Sequence, residues 1–245
     1  MKYEKIVVPS DFHIPFHDRE CLSAFISFCK YFKPDKIFLN GDVIDFYAIS
    51  RFVKDPNRAL ELQQEIDEAV GVLKMIRSNN RKAEIHYIRG NHEARLQKYL
   101  HSEAKELSGL RELNVQHLLR LKEFKIIYHE QGRFKYHGLT IKHGTVVRKF
   151  SGYTAKAEVE KNGTSGISSH SHRLSSYFQN NDGQEIIWNE TGCMCEKDAD
   201  YLEGEVPNWQ TGWVAGHLKQ DSKRFNLTIV PYVHGKAMYD GKEFK

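Results

Sequence analysis

The first half of the chain alternates apolar runs with amphipathic helical patterns, and this alternation is the strongest constraint on its fold. The apolar runs cover residues 6–8, 36–39 and 84–88. Between them lie a helix that begins after Asp18 and ends before Pro34, and a second helical pattern over residues 60–76. Strands joined through a helix cross over right-handed and pair in parallel. The sequence therefore predicts an α/β fold with a parallel sheet in its first half.

The second half of the chain changes to short strand patterns separated by turns. The strand patterns cover residues 124–129, 134–136, 139–142, 167–170, 175–179, 185–189, 213–217 and 225–230. One helix is expected over residues 154–161, and Asn181-Asp182-Gly183 predicts a hairpin turn. No linker rich in Pro, Gly or Ser separates the halves. We expect a single domain over residues 1–245, in which two sheets pack face to face with helices on the outside.

Composition sets limits on where the protein works and what it binds. The sequence contains no run of about 18 apolar residues, so we expect no membrane span. Its first residues lack the apolar stretch of a secretory signal, and its four cysteines suit buried thiols better than a disulfide framework. We therefore expect a cytoplasmic protein. The formal net charge of +4 is too small for a nucleic-acid arm but leans towards an anionic substrate.

Side chains that can bind metal ions follow the predicted strands in five blocks. The blocks are Asp11-Phe12-His13, Gly41-Asp42-Val43-Ile44-Asp45, Gly90-Asn91-His92-Glu93, His143-Gly144 and His170-Ser171-His172. Asp and His two positions apart on an extended segment point the same way, so such a pair can hold one ion. A single Asp after a strand is usually a turn former. Five blocks that all stand at strand ends indicate a metal site instead.

Seven residues of these blocks are candidate ligands. They are Asp11, His13, Asp42, Asn91, His143, His170 and His172. This number is too large for one four-coordinate ion and suits two ions about 3.5–4 Å apart that share a carboxylate. Oxygen and imidazole ligands without thiolate favour divalent transition-metal ions, from Mn, Fe, Zn, Ni and Co, over a structural zinc site. Cys193 and Cys195 are spaced too closely for a usual zinc knuckle.

The five blocks, in this order from Asp11 to His172, resemble those of the calcineurin-like metallophosphoesterases. The resemblance implies an α/β fold, a double β-sandwich of two mixed sheets flanked by helices, and a two-metal site that hydrolyses phosphate esters. It implies that one ion is held by Asp11, His13, Asp42 and His172. It implies that the other is held by Asp42, Asn91, His143 and His170, with Asp42 bridging. His92 would be the general acid or would stabilise the transition state, oriented by Asp45.

Residues beside the blocks are candidates for substrate binding. Arginine side chains suit phosphate, and Arg89, Arg95 and Arg173 adjoin the blocks. Each of these three is equally well explained as a solvated charge. Arg51 is a candidate as part of the segment over residues 47–58, which with Phe52 and Lys54 is expected to overhang the site and contact a substrate. Trp209 and Trp213 are favoured as core residues, although aromatic rings beside basic groups also stack on bases. One departure from the family's pattern is Ser169, which stands where the last block usually carries Gly.

The expected function is that of a two-metal phosphodiesterase. A hydroxide that bridges the two ions, with manganese among the candidates, would attack nucleic acid, as in a nuclease, or nucleotides. The alternative is a phosphomonoesterase like the Ser/Thr protein phosphatases. The sequence from Arg89 to Glu93 resembles that branch, but Asp45-Phe46 lacks its Asp-Arg-Gly continuation. A non-catalytic binding module on the same fold would be expected to lack ligands, and none is missing.

Overall fold

Four parallel strands form one half of the larger sheet in the computed structural model, which describes residues 3–58, 60–198 and 205–245. They are β1 (Tyr3–Val8), β2 (Lys36–Leu39), β3 (Glu84–Ile88) and β4 (Ile126–His129). The crossovers carry helices α1 (Arg19–Phe32), α2 (Leu62–Asn79), α3 (Glu93–Glu103) and α4 (Val115–Leu118). Two short 3₁₀ helices, Tyr47–Ile49 and Lys105–Leu107, lie in the same connections. The predicted βαβ arrangement of the first half is confirmed.

Helix α1 shows how local sequence builds the layer on one face of this sheet. The Asp18 side chain accepts a hydrogen bond from the Cys21 N–H at 2.8 Å and so caps the start of the helix. The helix ends at Lys33, whose backbone is left-handed with φ of 53°. Its inner face is apolar, and Phe25 and Phe28 are fully buried. The apolar faces of α1 and α2 share one core with the larger sheet.

The smaller sheet is mixed and has five strands, β5 (Arg133–Tyr136), β6 (Leu139–Lys142), β7 (Gly166–Ser168), β8 (Leu174–Asn181) and β9 (Gln184–Thr191). Their spatial order is β5-β6-β7-β9-β8, with β6, β7 and β9 parallel to one another. Helix α5 (Tyr153–Asn162) covers the outer face, where Ala155 and Val159 pack against Ile186 and Trp188. The hairpin predicted at Asn181-Asp182-Gly183 joins β8 to β9.

The last strands complete the larger sheet, which thereby becomes mixed. β10 (Gly212–Lys219) pairs antiparallel with β1, and β11 (Phe225–Val233), β12 (Lys236–Tyr239) and β13 (Lys242–Phe244) follow outwards. The two sheets pack on each other through a core of Ile6, Val8, Phe38, Ile88, Leu139, Ile141, Ile167, Val214 and Leu218. Two mixed sheets face to face with helices outside confirm the predicted fold class. No helix within the described ranges is long and apolar enough to cross a membrane.

The extended geometry predicted for the two ligand pairs, Asp11 with His13 and His170 with His172, is wrong. Strand β1 ends at Val8 and β7 ends at Ser168, so the ligand pairs that follow them do not lie on extended segments. The backbone is left-handed at all four residues, with φ of 51° at Asp11, 50° at His13, 70° at His170 and 56° at His172. Turns rather than strand alternation therefore bring each pair to one site. The pairing of β12 with β13 at the chain end was also not predicted.

Candidate metal centre

The five blocks meet at one end of the sandwich because the strands before them are parallel within each sheet. β1, β2 and β3 bring the first three blocks to one edge of the larger sheet, and β6 and β7 bring the last two. The loops after β1 and β2 are joined by backbone hydrogen bonds. The Asp11 N–H donates to Gly41 O at 3.1 Å, and the His13 N–H donates to Asp42 O at 2.9 Å. The predicted placement at strand ends is thus confirmed.

Two glycines allow the blocks to approach each other closely. A Cβ on Gly90 would lie 2.1 Å from Asp42 Oδ1 and 2.5 Å from the Asp42 backbone nitrogen. A Cβ on Gly41, where φ is 86°, would lie 2.6 Å from His143 Nδ1. No side chain fits at either position without displacing a candidate ligand.

The buried Glu93 carboxylate fixes the turn that carries the third block. It accepts hydrogen bonds from three backbone N–H groups, those of Asp42 at 3.0 Å, Val43 at 2.8 Å and Gly90 at 2.7 Å. Burial and the nearby Asp42 charge raise the pKa of Glu93. We did not predict this role. The spacing of Gly90 and Glu93, which is that of a capping box, is the signal that could have indicated it.

One cluster of candidate ligands consists of Asp11, His13 and His172. The Nε2 atoms of His13 and His172 lie 3.1 Å apart, and His172 Nε2 is 3.2 Å from Asp11 Oδ1. His13 Nε2 is also 3.9 Å from Asp42 Oδ2. Asp11 Oδ1 is buried and accepts no hydrogen bond from the described residues. A cation between these atoms would satisfy this oxygen and separate two nitrogens that otherwise face each other.

A second cluster lies on the other side of Asp42. His143 Nε2 is 3.1 Å from Asp42 Oδ2 and 2.9 Å from Asn91 Oδ1. Ligand atoms of Asp42, His143 and His170 lie within 4.8 Å of one another. Asp42 therefore contacts both clusters. The structure brings all seven candidate ligands together at one site, where Asn91 and His170 are partly exposed and the other five are buried.

Charge pairing outweighs the effect of burial in these clusters. Burial would raise the pKa of Asp11, but the neighbouring His172 and other histidines hold it well below its usual value. Burial would lower the pKa of His143, but Asp42 raises it to about 9. Burial would also lower the pKa of His13, but hydrogen bonding to Asp11 and Asp45 holds it well above its usual value. Imidazoles that hold protons among carboxylates can exchange these protons for divalent ions, so the donor set fits such ions.

Asp45 lies behind the first cluster. Besides His92, which it was expected to orient, it also contacts His13 and Arg95. Its Oδ2 accepts a hydrogen bond from His13 Nδ1 at 2.9 Å and lies 3.0 Å from His92 Nδ1. Its Oδ1 accepts a hydrogen bond from Arg95 Nη1 at 2.6 Å. Hydrogen bonding to the two histidines outweighs burial and lowers the pKa of Asp45. Asp45 therefore orients a candidate metal ligand, a candidate catalytic residue and an arginine.

The His92 side chain faces the same site. Its backbone N–H donates to Asp42 Oδ1 at 2.8 Å. Its Nε2 lies 3.1 Å from Arg95 Nη2 and 3.7 Å from Asp42 Oδ2. Ligand atoms of His92, His13 and Asp42 also lie within 4.8 Å of one another. His92 and Arg95 thus lie together beside the two ligand clusters.

The other candidate arginines have no described side-chain hydrogen bond to a candidate ligand or catalytic residue. Arg89 Nη1 donates to Glu130 Oε1 at 2.6 Å, and Arg51 is exposed. Arg173 donates to the backbone oxygens of Asn208 and Arg148. Of the four predicted arginines, Arg95 alone contacts a candidate catalytic residue among the described hydrogen bonds.

Trp209 and Trp213, the two tryptophans considered for substrate binding, differ in their surroundings. Trp213 is fully buried in the core, as predicted. Trp209 is half-buried, and its ring centre lies 4.3 Å from that of His172, so the prediction that it belongs to the core is wrong. The sequence could not predict this contact, because it depends on the return of the chain after His172 to the site. The Gln210 N–H donates to His172 O at 2.8 Å and fixes this return.

Ser169, which stands where the family's last block usually carries Gly, is buried and hydrogen-bonded. Its Oγ donates to Asn40 O at 2.8 Å and accepts a hydrogen bond from Asn40 Nδ2 at 2.9 Å. The same Asn40 oxygen accepts the Nδ1–H of His143 at 2.9 Å. The serine therefore joins a network that supports a candidate ligand.

The fold and the site define a class of protein. The family model of the calcineurin-like phosphoesterases matches residues 4–231, and the chain belongs to this family. Membership confirms the resemblance and supports the hydrolysis of phosphate esters as the general class of reaction.

The chain is also similar to individual proteins along its full length. It is 30% identical over 254 residues to the Gene 54 protein of Mycobacterium phage D29, with 97% of each chain covered. It is 30% identical over 271 residues to the Gene 54 protein of Mycobacterium phage L5, with 98% of each covered.

Solved structures of Vps29 have a similar fold. The Vps29 of Cryptosporidium parvum superposes with a TM-score of 0.53 at 14% identity, covering 99% of this chain and 98% of the other. A single mutant of Vps29 from Entamoeba histolytica gives 0.50 at 12% identity, covering 98% and 99%. At these identities the likeness shows the fold alone.

Proposed function

We propose that this protein is a two-metal phosphodiesterase that acts on nucleic acid or nucleotides. The observation that carries the proposal is the position of Asp42 between two ligand clusters. His143 Nε2 lies 3.1 Å from Asp42 Oδ2 on one side, and His13 Nε2 lies 3.9 Å from it on the other. A single carboxylate placed in this way suits a pair of ions that share it.

The residues that would hold each ion follow from these clusters. One ion would be held by Asp11, His13, Asp42 and His172, and the other by Asp42, Asn91, His143 and His170. Two such ions, when bound, lower the pKa of water and stabilise negative charge on a phosphate ester. Oxygen and nitrogen donors suit Mn, Fe, Zn, Ni or Co.

His92 and Arg95 act on the substrate in this proposal. Asp45 Oδ2 orients the His92 ring through Nδ1, and Nε2 accepts a hydrogen bond from Arg95 Nη2 at 3.1 Å. In the form protonated on both nitrogens, with Arg95 turned to a phosphoryl oxygen, His92 Nε2 donates a proton to the departing oxygen. The guanidinium of Arg95, fixed by Asp45 and 3.1 Å from His92 Nε2, can stabilise a phosphoryl oxygen. His92 and Arg95 both follow Gly90 closely, at the start of α3. The same turn therefore positions the proton donor, His92, and the cation, Arg95.

Exposed aromatic and basic residues near the site support a nucleic-acid or nucleotide substrate. The loop over residues 145–152 directly follows His143-Gly144, and Phe150 in this loop is 52% exposed. Tyr153, the first residue of α5, is 59% exposed. The two rings contact edge to face at 5.5 Å, and Lys149 Nζ lies 5.5 Å from the Phe150 ring centre. Bases stack on exposed aromatic rings while cations bind the phosphates between them.

The test is a substrate panel with defined metal content. The protein, loaded with Mn²⁺ or Ni²⁺ or treated with chelator, is assayed on nitrophenyl diesters, single- and double-stranded nucleic acids and cyclic nucleotides. Nitrophenyl monoesters and phosphopeptides complete the panel. We expect metal-dependent diester cleavage that Asp42→Asn abolishes. Asp221→Asn, in the exposed turn between β10 and β11, is the matched control and should retain activity.

Three results would overturn parts of the proposal. Release of phosphate from phosphopeptides without diester cleavage would favour a phosphomonoesterase like the protein phosphatases. Full activity in chelator would reject the two-metal centre. No hydrolysis of any ester by the metal-loaded protein would favour a binding module.

A further inference from the structure

Cys195 is a buried residue whose sulfur faces a candidate metal ligand. Its Sγ lies 3.9 Å from His172 Nδ1, and the residue is 3% exposed. The backbone beside it is fixed to the first ligand block, because the Met194 N–H donates to Asp11 O at 3.0 Å and Met194 O accepts from the Asp18 N–H at 2.9 Å. The sulfur is therefore held in place by the fold.

Two other candidate histidine ligands, His13 and His143, have defined contacts on both ring nitrogens. They show what a group beside Nδ1 does. His13 and His143 both direct Nε2 into the clusters and Nδ1 towards an acceptor. For His13 this acceptor is the Asp45 carboxylate at 2.9 Å, and for His143 it is Asn40 O at 2.9 Å. His172 also directs Nε2 into the cluster, 3.2 Å from Asp11 Oδ1, and its Nδ1 faces Cys195 Sγ. Cys195 thus lies beside the Nδ1 atom of His172, just as Asp45 lies beside that of His13 and Asn40 O beside that of His143.

Such an acceptor decides which ring nitrogen carries the proton. A histidine that donates Nδ1–H keeps Nε2 free for a metal ion, and loss of the acceptor typically weakens binding. The buried Asp11 Oδ1, which accepts no hydrogen bond from the described residues, marks the side of His172 where the ion would lie. The sulfur lies beside the opposite nitrogen of the ring.

We propose that Cys195 is a positioning residue for the ion held by Asp11, His13, Asp42 and His172. Its sulfur accepts the Nδ1–H of His172 and thereby fixes the ring orientation and the tautomer. This role rests on the metal centre of the proposed function. The competing role is direct ligation, because ligand atoms of His13, His172 and Cys195 lie within 4.8 Å of one another.

The experiment is a Co²⁺ titration of the full chain, followed by visible and near-ultraviolet absorption. Two variants separate hydrogen bonding from packing. Cys195→Val keeps an apolar side chain of similar size without an acceptor, whereas Cys195→Ser keeps an acceptor on a smaller side chain. Cys29→Val, a buried cysteine of α1 outside the site, is the matched control.

We expect wild type and Cys29→Val to bind two Co²⁺ per chain without a thiolate-to-cobalt absorption band. In Cys195→Val one of the two ions should bind roughly 10–100-fold more weakly, and Cys195→Ser should restore most of this loss. Unchanged binding in Cys195→Val, or a loss in Cys195→Ser as large as that in Cys195→Val, would overturn the role of Cys195 alone. A thiolate-to-cobalt band in wild type would replace positioning by direct ligation. Failure of wild type to bind Co²⁺ would overturn the metal centre and this role together.

Discussion

Replacement of His92 by Ala removes an imidazole that we assign to proton transfer rather than to metal binding. The backbone N–H of residue 92 donates to Asp42 Oδ1 at 2.8 Å, and an alanine keeps this hydrogen bond. The side chain makes no hydrogen bond that caps α3, so the helix start is retained. The Ala variant therefore loses the ring and its contacts with Asp45 and Arg95 while the turn stays in place. We expect both metal ions to remain bound.

The magnitude of the effect depends on the leaving group. A positioned general acid contributes about 10²–10⁴-fold, which corresponds to about 3–5 kcal/mol of the activation barrier. An alkoxide leaving group needs the proton, so His92→Ala should lose this factor on alkyl diesters and natural substrates. Nitrophenolate leaves nearly unaided, so the loss on nitrophenyl diesters should stay below about tenfold. The assay compares single-turnover rates on both ester types, with metal content measured in the same samples.

Two outcomes would contradict the role of proton donor for His92. Equal rate losses on both ester types would refute proton donation and indicate that His92 only stabilises charge. Loss of metal from the variant would refute both roles and make His92 a ligand. His101→Ala, an exposed histidine at the end of the same helix, is the control and should leave rates and metal content unchanged.

Further predictions concern the turn, the arginines and a buried carboxyl group. Gly90→Ala, whose Cβ would lie 2.1 Å from Asp42 Oδ1, should lower turnover roughly 100-fold or more and reduce metal content, and normal values of both would contradict the geometry. Arg95→Ala should lower kcat/KM by roughly 10²–10³-fold, whereas Arg89→Ala should have little effect, and equal losses would refute the distinction. Burial raises the pKa of Glu65 from 4.5 to about 7, so its ionised form destabilises the fold above pH 7, and this cost vanishes below pH 4.5. Glu65→Gln should therefore gain about 1–3 kcal/mol of unfolding free energy at pH 8 but little at pH 5, measured by urea unfolding, and a gain independent of pH would contradict this cause.

The order of elements in the first half was predictable because strands β1, β2 and β3 are buried on both faces. Such strands read as continuous apolar runs, and the helices between them carry one apolar face each. Parallel pairing then places the residues after each strand at one edge of the sheet. This is why the sequence predicted which blocks meet, although no contact between them is local.

The geometry within each block was not predictable from local pattern. Asp11 and His13 adopt left-handed backbone conformations held by hydrogen bonds to Gly41 and Asp42, which lie some thirty residues away. The periodicity of a strand contains no information about such turns. The contacts of Asp45 were also only partly predictable. The sequence predicted that Asp45 orients His92, but Asp45 also accepts hydrogen bonds from His13 and Arg95. Asp45→Asn should consequently affect metal binding as well as turnover.

Residues distant in sequence completed the site in ways that no motif indicated. Cys195 and Trp209 both reach His172 because the chain after β9 returns to the loop that follows β1. Their spacing resembles no metal or catalytic pattern, and each alone reads as a buried hydrophobe. Tertiary hydrogen bonds, among them those of Met194 and Gln210, place them there.

The central claim is that Asp42 bridges two metal ions, and anomalous diffraction from crystals of Mn²⁺-loaded protein tests it most directly. Data recorded on both sides of the manganese absorption edge locate each ion independently of the protein. We predict two anomalous peaks per chain about 3.5–4 Å apart, both in contact with the Asp42 carboxylate. A single peak, or two peaks of which only one contacts Asp42, would contradict the account.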